Sequence, residues 1–122
     1  MKLLLDTHAV VWWDNDELPK TIVRRIQRAE TVFVSAVTAW EIAIKSALGK
    51  ITARGRVEDV LQDYGFVELP VFVRHADALR SLPSLHRDPF DRLLVAQAIV
   101  ENLVLVSADP ALRQYGVPVV WS

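Results

Sequence analysis

The sequence predicts an α/β domain with a mostly parallel sheet covered by helices on both faces. Short apolar runs recur along the chain, LLL at 3–5, TVFV at 31–34 and LVLV at 103–106, and runs without alternation mark strands buried on both sides. Segments with helical spacing lie between them, the order that gives parallel strands joined by right-handed crossovers. At 122 residues the chain is long enough to close one core and too short for two, so a single domain over 1–122 is expected.

The elements follow in order. KLLL at 2–5 is the first strand and stops at Asp6; after Thr7 a helix carries Ala9 to Trp13. A second helix opens near Pro19, whose fixed φ suits a first turn. TVFV, β-branched and short, is the second strand. Ser35 caps a helix in which Val37, Trp40, Ile44 and Leu48 fall at helical spacing and are expected to face the core, and Gly49 ends it. A helix over GRVEDVLQDYG closes at Gly65, FVEL is the third strand and stops at Pro70, and residues 71–81 form a helix before the loop PSLHRDP. DPFDRLLVAQAIVEN is helical, with Asp88 as N-cap and Pro89 at the first position ahead of an almost wholly apolar body. LVLVS is the fourth strand, DPALRQYG a short helical turn and VPVVW the last strand.

Composition excludes several classes of function. Cysteine is absent, which removes disulfides, thiolate metal sites and cysteine nucleophiles together. His8, His75 and His86 lie far apart without zinc spacing. A net charge of -1 argues against holding nucleic acid by bulk charge but leaves room for a local basic patch. Arg24, Arg25 and Arg28 cluster on the second helix and read as a solvated face. No apolar run approaches the ~18 residues of a membrane span and the N-terminus lacks a signal pattern, so a cytosolic chain without membrane contact is expected. Hydrophobic residues make up 52 % of the sequence, which implies that part of the surface meets a partner. Trp12 and Trp13 point about 100° apart on one helix, so either the helix is covered on two sides or one indole is partly exposed.

In open α/β sheets, sites form beyond the carboxyl ends of the strands. Asp6 follows the first strand and Asp109 the fourth, so both stand at that edge. Each acid also has a local explanation. Asp6, Asp88 and Asp109 are placed to cap helices, and Asp91 lies at the third helical position, where a carboxylate meets free amides and the positive end of the dipole. Glu41 borders the apolar stripe of its helix, where an i,i+4 pair with Lys45 is worth a few tenths of a kcal/mol and suits an exposed helix better than this one. Strand ends on one edge, a helix entered from a loop and a helix leaving the second strand can surround one crevice. Carboxylates gathered there repel unless a cation neutralises them. Without thiols or imidazoles they select Mg²⁺ or Mn²⁺, and the chemistry that follows is metal-assisted attack of water on a phosphodiester.

Four segments, LLLDTHAVVWW, SAVTAWEIAIKSALGKI, DPFDRLLVAQAIVENLVLVSAD and VPVVW, together resemble the PIN-domain proteins, specifically the VapC-type toxins of toxin–antitoxin pairs. The likeness spans nearly the whole chain in order and spacing. It implies a three-layer α/β/α sandwich with a five-stranded, mainly parallel sheet in order 3-2-1-4-5, and an endoribonuclease dependent on Mg²⁺ or Mn²⁺. By the resemblance, Asp6 matches the first-strand aspartate, Glu41 the glutamate after strand two, Asp91 the aspartate before the helix body RLLVAQA, and Asp109 the one after strand four. These four would be the catalytic acids and metal ligands. Ser107 matches a hydroxyl residue that hydrogen-bonds within the acidic site, and Thr7 and Asp88 are further candidates, Asp88 lying one helical turn from Asp91 with capping as its default role. His8 after DT and the acids Asp14, Asp16 and Glu17 are mild departures; His8 reads as a neutral surface residue.

RNA would then be held by cations near the crevice, with Lys45, Lys50, Arg87 and Arg92 as candidates, and single-stranded or looped RNA is the expected target class. The resemblance also implies a homodimer and a VapB-type antitoxin whose C-terminal segment lies along the first helices and reaches the acidic groove. An arginine entering that groove competes with a cation by charge. A receiver-like signalling domain is the rival from another class, but adjacent acids after the first strand and a lysine after the last are both missing. A PIN-like fold kept only for binding is a third possibility.

Overall fold

Leu3, Leu4 and Leu5 are all fully buried, which requires their strand to lie inside the sheet with cover on both faces. The structure, a computed structural model, describes residues 1–53, 55–85 and 88–121, and it places that strand at the centre. Strands β1 (Lys2–Leu5), β2 (Thr31–Ser35), β3 (Val67–Leu69), β4 (Val104–Val106) and β5 (Val119–Val120) form a sheet in the order β3-β2-β1-β4-β5. Every pairing is parallel. Helices α1 (Thr7–Asp14), α2 (Lys20–Arg28), α3 (Ala36–Ala47), α4 (Val57–Tyr64), α5 (Val73–Ala78) and α6 (Pro89–Glu101) complete the fold. Short 3-10 turns lie at Leu79–Ser81 and Pro110–Tyr115. The expected sandwich and strand order are therefore present.

Alternation along the inner strands divides the core between two faces. Leu3, Leu5 and Val106 pack with Ala9, Val10, Ile22, Ile26 and Val60 from α1, α2 and α4. Leu4 and Leu105 pack with Val37 of α3, Leu94, Val95 and Ala98 of α6, and Leu112. Leu105→Ala, in a strand covered on both sides, is expected to cost about 3 kcal/mol, read as a lower urea midpoint with an unchanged slope.

One face departs from its sequence pattern. In α3 only Val37 of the expected stripe is buried, whereas Trp40, Ile44 and Leu48 are exposed; the inward face is Val37, Thr38, Glu41 and Ile42. The helix is turned so that Thr38 and Glu41 meet the Thr7 hydroxyl of α1. The 71–81 helix is also shorter than its pattern, ending as α5 at Ala78 and continuing as a 3-10 turn. Trp12 and Trp13 are each half-buried on their own side of α1, Trp12 against Trp121 at 5.7 Å between ring centroids and Trp13 against Phe66 at 5.4 Å. The helix is thus covered on two sides. Arg24, Arg25 and Arg28 line a hollow with Met1 at the start of the strands, away from the carboxyl edge.

Candidate active site

Register decides which residues leave the sheet together. Leu5 pairs with Val34 on one side and Val106 on the other, so Asp6, Ser35 and Ser107 emerge at one level of the carboxyl edge. A parallel sheet also brings the N-termini of the following helices to that edge. Capping residues consequently converge there. Asp6 accepts from Ala9 N at 2.8 Å, Asp88 from Phe90 N at 2.9 Å and Asp91 N at 3.3 Å, and Asp109 from Ala111 N at 2.9 Å. Ser35 caps α3 through Val37 N at 3.0 Å. The capping roles read from the sequence are real, and they do not compete with a site: each cap occupies one carboxylate oxygen of two.

Asp6 is the most enclosed of these acids, 6 % exposed. Burial pushes its carboxyl above the usual carboxylate range, against the lowering effect of hydrogen bonds from Ser107 and the Ala9 amide and of the nearby His8 charge; Glu41 adds to the rise. Ser107 also accepts from Asp109 N at 3.1 Å, so one hydroxyl links the strand-one acid to the strand-four loop. Glu41, 1 % exposed, receives the Thr7 hydroxyl on Oε1 and the Lys45 ammonium on Oε2, each at 2.5 Å. Thr7 lies 3.3 Å from the Thr38 hydroxyl. Lys45 reaches from α3 toward α6 as well, 4.0 Å from Asp88 Oδ2. The Glu41 hydrogen bond holds its ammonium above the ordinary lysine range, aided by the charges of Asp88 and Asp91 and opposed by burial.

Asp6, Thr7, Ser107 and the Asp109 loop thus form one linked group, and Glu41, Lys45, Asp88 and Asp91 another beside it, with Thr7 joining the two. Arg92 turns away: it donates to the Pro83 carbonyl at 2.7 Å and toward the Tyr115 hydroxyl at 3.4 Å. Lys50 is exposed past the end of α3, His8 is exposed beside Trp12, and Arg87 lies outside the described residues. The donors are carboxylates and hydroxyls, a set that suits Mg²⁺ or Mn²⁺. Among the described residues, no three His, Asp or Glu side chains are already arranged to hold an ion.

The PIN domain family matches residues 3–118. This chain belongs to the PIN-domain family. Ribonuclease VapC22 of Mycobacterium tuberculosis is 29 % identical over 125 residues, covering 95 % of this chain and 93 % of that protein. The fold is shared with VapBC2 from Rickettsia felis, solved with a DNA fragment from its promoter, at TM-score 0.76 and 16 % identity over all of both chains. DNA-bound VapBC from Salmonella typhimurium matches at TM-score 0.75 and 16 % identity, over 100 % of this chain and 99 % of that one. FitAcB from Neisseria gonorrhoeae matches at TM-score 0.65 and 22 % identity, over 96 % and 95 %. The likeness of this PIN chain to the VapC type therefore holds in sequence and in fold.

A second polar cluster, between α5 and α6, is not legible in the sequence. His75 is fully buried in α5, accepts from Phe72 N at 3.0 Å through Nδ1, and meets Glu101 of α6 through Nε2 at 2.7 Å. Arg74 binds the same carboxylate at 2.9 Å, and Arg74 and His75 together hold it below the usual range. Buried Gln97 donates to the Pro70 carbonyl at 3.1 Å. These contacts tie α5 to α6.

Proposed function

We propose that this chain, folding as one PIN domain over 1–122, is the toxin of a toxin–antitoxin pair: an endoribonuclease dependent on Mg²⁺ or Mn²⁺ that hydrolyses RNA phosphodiesters and so inhibits translation and growth. The observation that carries the reading is Asp6. A carboxylate this buried, with its affinity for protons raised, is costly to keep ionised unless a cation arrives. Asp6, Asp109 and Asp91, with Glu41, are the acids proposed to hold one. When bound there, a divalent ion lowers the pKa of water and neutralises charge on phosphate oxygens.

The chain's own residues supply the rest. Ser107 fixes the Asp6 carboxylate relative to the Asp109 loop, and Thr7 fixes Glu41. The helix N-termini gathered at this edge present amides and dipoles that favour a phosphate. Lys50, exposed beyond α3, and Arg87 are the cations proposed to meet the RNA backbone.

The name of the VapC22 relative and the VapBC pairs among the structural neighbours support the ribonuclease and the antitoxin partner. A small hollow beside α1 is lined by Val10, Val11, Asp14, Ile42 and Val60, and the partner's C-terminal segment is proposed to lie along that helix. The exposed stripe Trp40, Ile44 and Leu48 on α3 supports a homodimer. No helix among the described residues is long and apolar enough to cross a membrane, and a cytoplasmic place is proposed for an enzyme acting on cellular RNA.

The test is incubation of purified, antitoxin-free protein with a mixed cellular RNA pool and Mn²⁺ or Mg²⁺. Discrete fragments that EDTA abolishes are expected. Folded protein that leaves the pool intact under both ions would turn the assignment toward a binding module.

A further inference from the structure

Charge is not spread evenly over this chain. Helix α2 carries Lys20, Arg24, Arg25 and Arg28 and no acid, whereas the whole sequence has fourteen basic residues against fifteen acids. At about 100° per residue the three arginines fall within about 100° of one another, on the side of the helix turned away from buried Ile22 and Ile26. All three are exposed, and with Met1, Thr21 and Ala29 they line one hollow at the start of the strands. Among the described residues lining that hollow there is no acid.

The helix alone gains little from this arrangement. Arg25 and Arg28 stand in the last turn, where the negative end of the dipole favours cations, and Arg25 has a further interaction within the chain. Arg24 lies one turn from Arg28, and like charges at that spacing repel. A phosphate chain removes the repulsion, because planar guanidinium forks pair with phosphate oxygens two bonds at a time. Each phosphate neutralised also releases counterions, which gives exposed arginines an affinity for a polyphosphate that a lone carboxylate would not supply. The acidic crevice lies at the other end of the strands, and β2, which spans the sheet, is five residues long. That separation is about 17 Å, which a single strand advancing about 3.4 Å per nucleotide covers in about five nucleotides.

We propose that the arginine stripe of α2 is a second RNA contact, remote from the crevice, where Arg24, Arg25 and Arg28 hold backbone phosphates of a strand whose scissile bond lies at the carboxyl edge. The choice of RNA as occupant rests on the proposed ribonuclease reading; the contact itself requires neither a metal ion nor cleavage. It makes the chain favour long RNA over fragments that fill the crevice alone, and because arginine pairs with phosphate rather than with bases, it adds affinity without sequence preference.

The experiment is fluorescence anisotropy of the full chain in EDTA, so that nothing is cut, with fluorescein-labelled single-stranded RNA of about 5 and about 30 nucleotides over a series of salt concentrations. On the parent, the slope of log affinity against log salt should be steeper for the long RNA by about two or more; equal slopes overturn the inference without any variant. The triple substitution Arg24→Gln, Arg25→Gln, Arg28→Gln, shown folded by circular dichroism, should bind the long RNA about tenfold or more weaker, lose the extra slope and bind the short RNA as the parent does. The corresponding triple lysine variant, which keeps the charge, should recover most of the affinity. A folded glutamine variant that holds long RNA as well as the parent overturns the contact, and so does an equal loss on both lengths, which would reduce the stripe to a general change of net charge. Polyglutamate that binds the parent more tightly than the long RNA, and only through these arginines, would give the hollow to an acidic protein and overturn RNA as its occupant. A parent that binds neither RNA in EDTA removes this contact and leaves the metal-dependent cleavage to its own assay.

Discussion

Asp6→Asn is expected to lower RNA cleavage by about 10³-fold or more while yielding a protein that, in EDTA at neutral pH, melts above the parent. The two effects share one cause. Burial raises the Asp6 carboxyl above its usual range, so the folded state binds that proton more tightly than the unfolded chain does. The stability linked to this group is then fully present below the carboxyl's unfolded range and is lost as pH rises through the folded value. At neutral pH the ionised, desolvated carboxylate therefore burdens the fold. Asparagine removes the charge and keeps the acceptor that caps α1 at Ala9 N. The gain in melting temperature should be a few degrees, should shrink to nothing as pH falls into the carboxylate range, and should reverse when Mg²⁺ is added, because only the parent gains from an ion that binds the folded state. Calorimetry at several pH values, with and without Mg²⁺, reads all three. A variant that fails to fold would reduce Asp6 to a structural cap, and one that cleaves as well as the parent would remove it from the site.

What the sequence made legible, and what it hid, divides along the range of the interactions. The strands, the sheet edge and the capping acids depend on neighbours within a few residues and on the parallel topology that apolar runs imply. For that reason Asp6, Asp88 and Asp109 were readable both as caps and as members of one crevice. The orientation of α3 was not. Spacing put Val37, Trp40, Ile44 and Leu48 on one face, and apolar residues are expected inward. The inward face is set instead by Thr7, whose hydroxyl donates to Glu41 across 34 positions of sequence, and by Lys45, which supplies the charge that lets a glutamate be buried. A pattern of hydrophobicity contains no information about such a partner. The His75–Glu101 contact, 26 positions apart, was hidden for the same reason. Lys45 shows the effect on function: its sequence reading was either a surface pair or an RNA contact, and its place is among the acids themselves.

Asp91 and Asp88 lie one helical turn apart at the start of α6, and substitution should separate their roles. Asp88 is engaged locally: one of its oxygens accepts from Phe90 N and Asp91 N. Its loss in Asp88→Ala is expected to cost about 1 kcal/mol of stability. Asp88→Asn preserves the cap and should hold both the melting temperature and cleavage to within about tenfold of the parent. Asp88 is the N-cap residue of α6, accepting from the first-turn amides, and Asp91 stands in that first turn. Its negative charge is favoured there by the helix dipole, an effect of about 0.3–1 kcal/mol, so Asp91→Asn should be only slightly destabilising. Cleavage, by contrast, should fall about 10²–10³-fold, because the Asp91 charge acts on Lys45 beside Glu41 and asparagine is a neutral, weaker donor to a hard cation. Thermal melts and initial rates on one RNA pool, measured for all three variants, distinguish the roles. A large loss of cleavage in Asp88→Asn with Asp91→Asn near the parent would exchange the two assignments, since a cap that survives the substitution leaves only the lost charge to explain the rate.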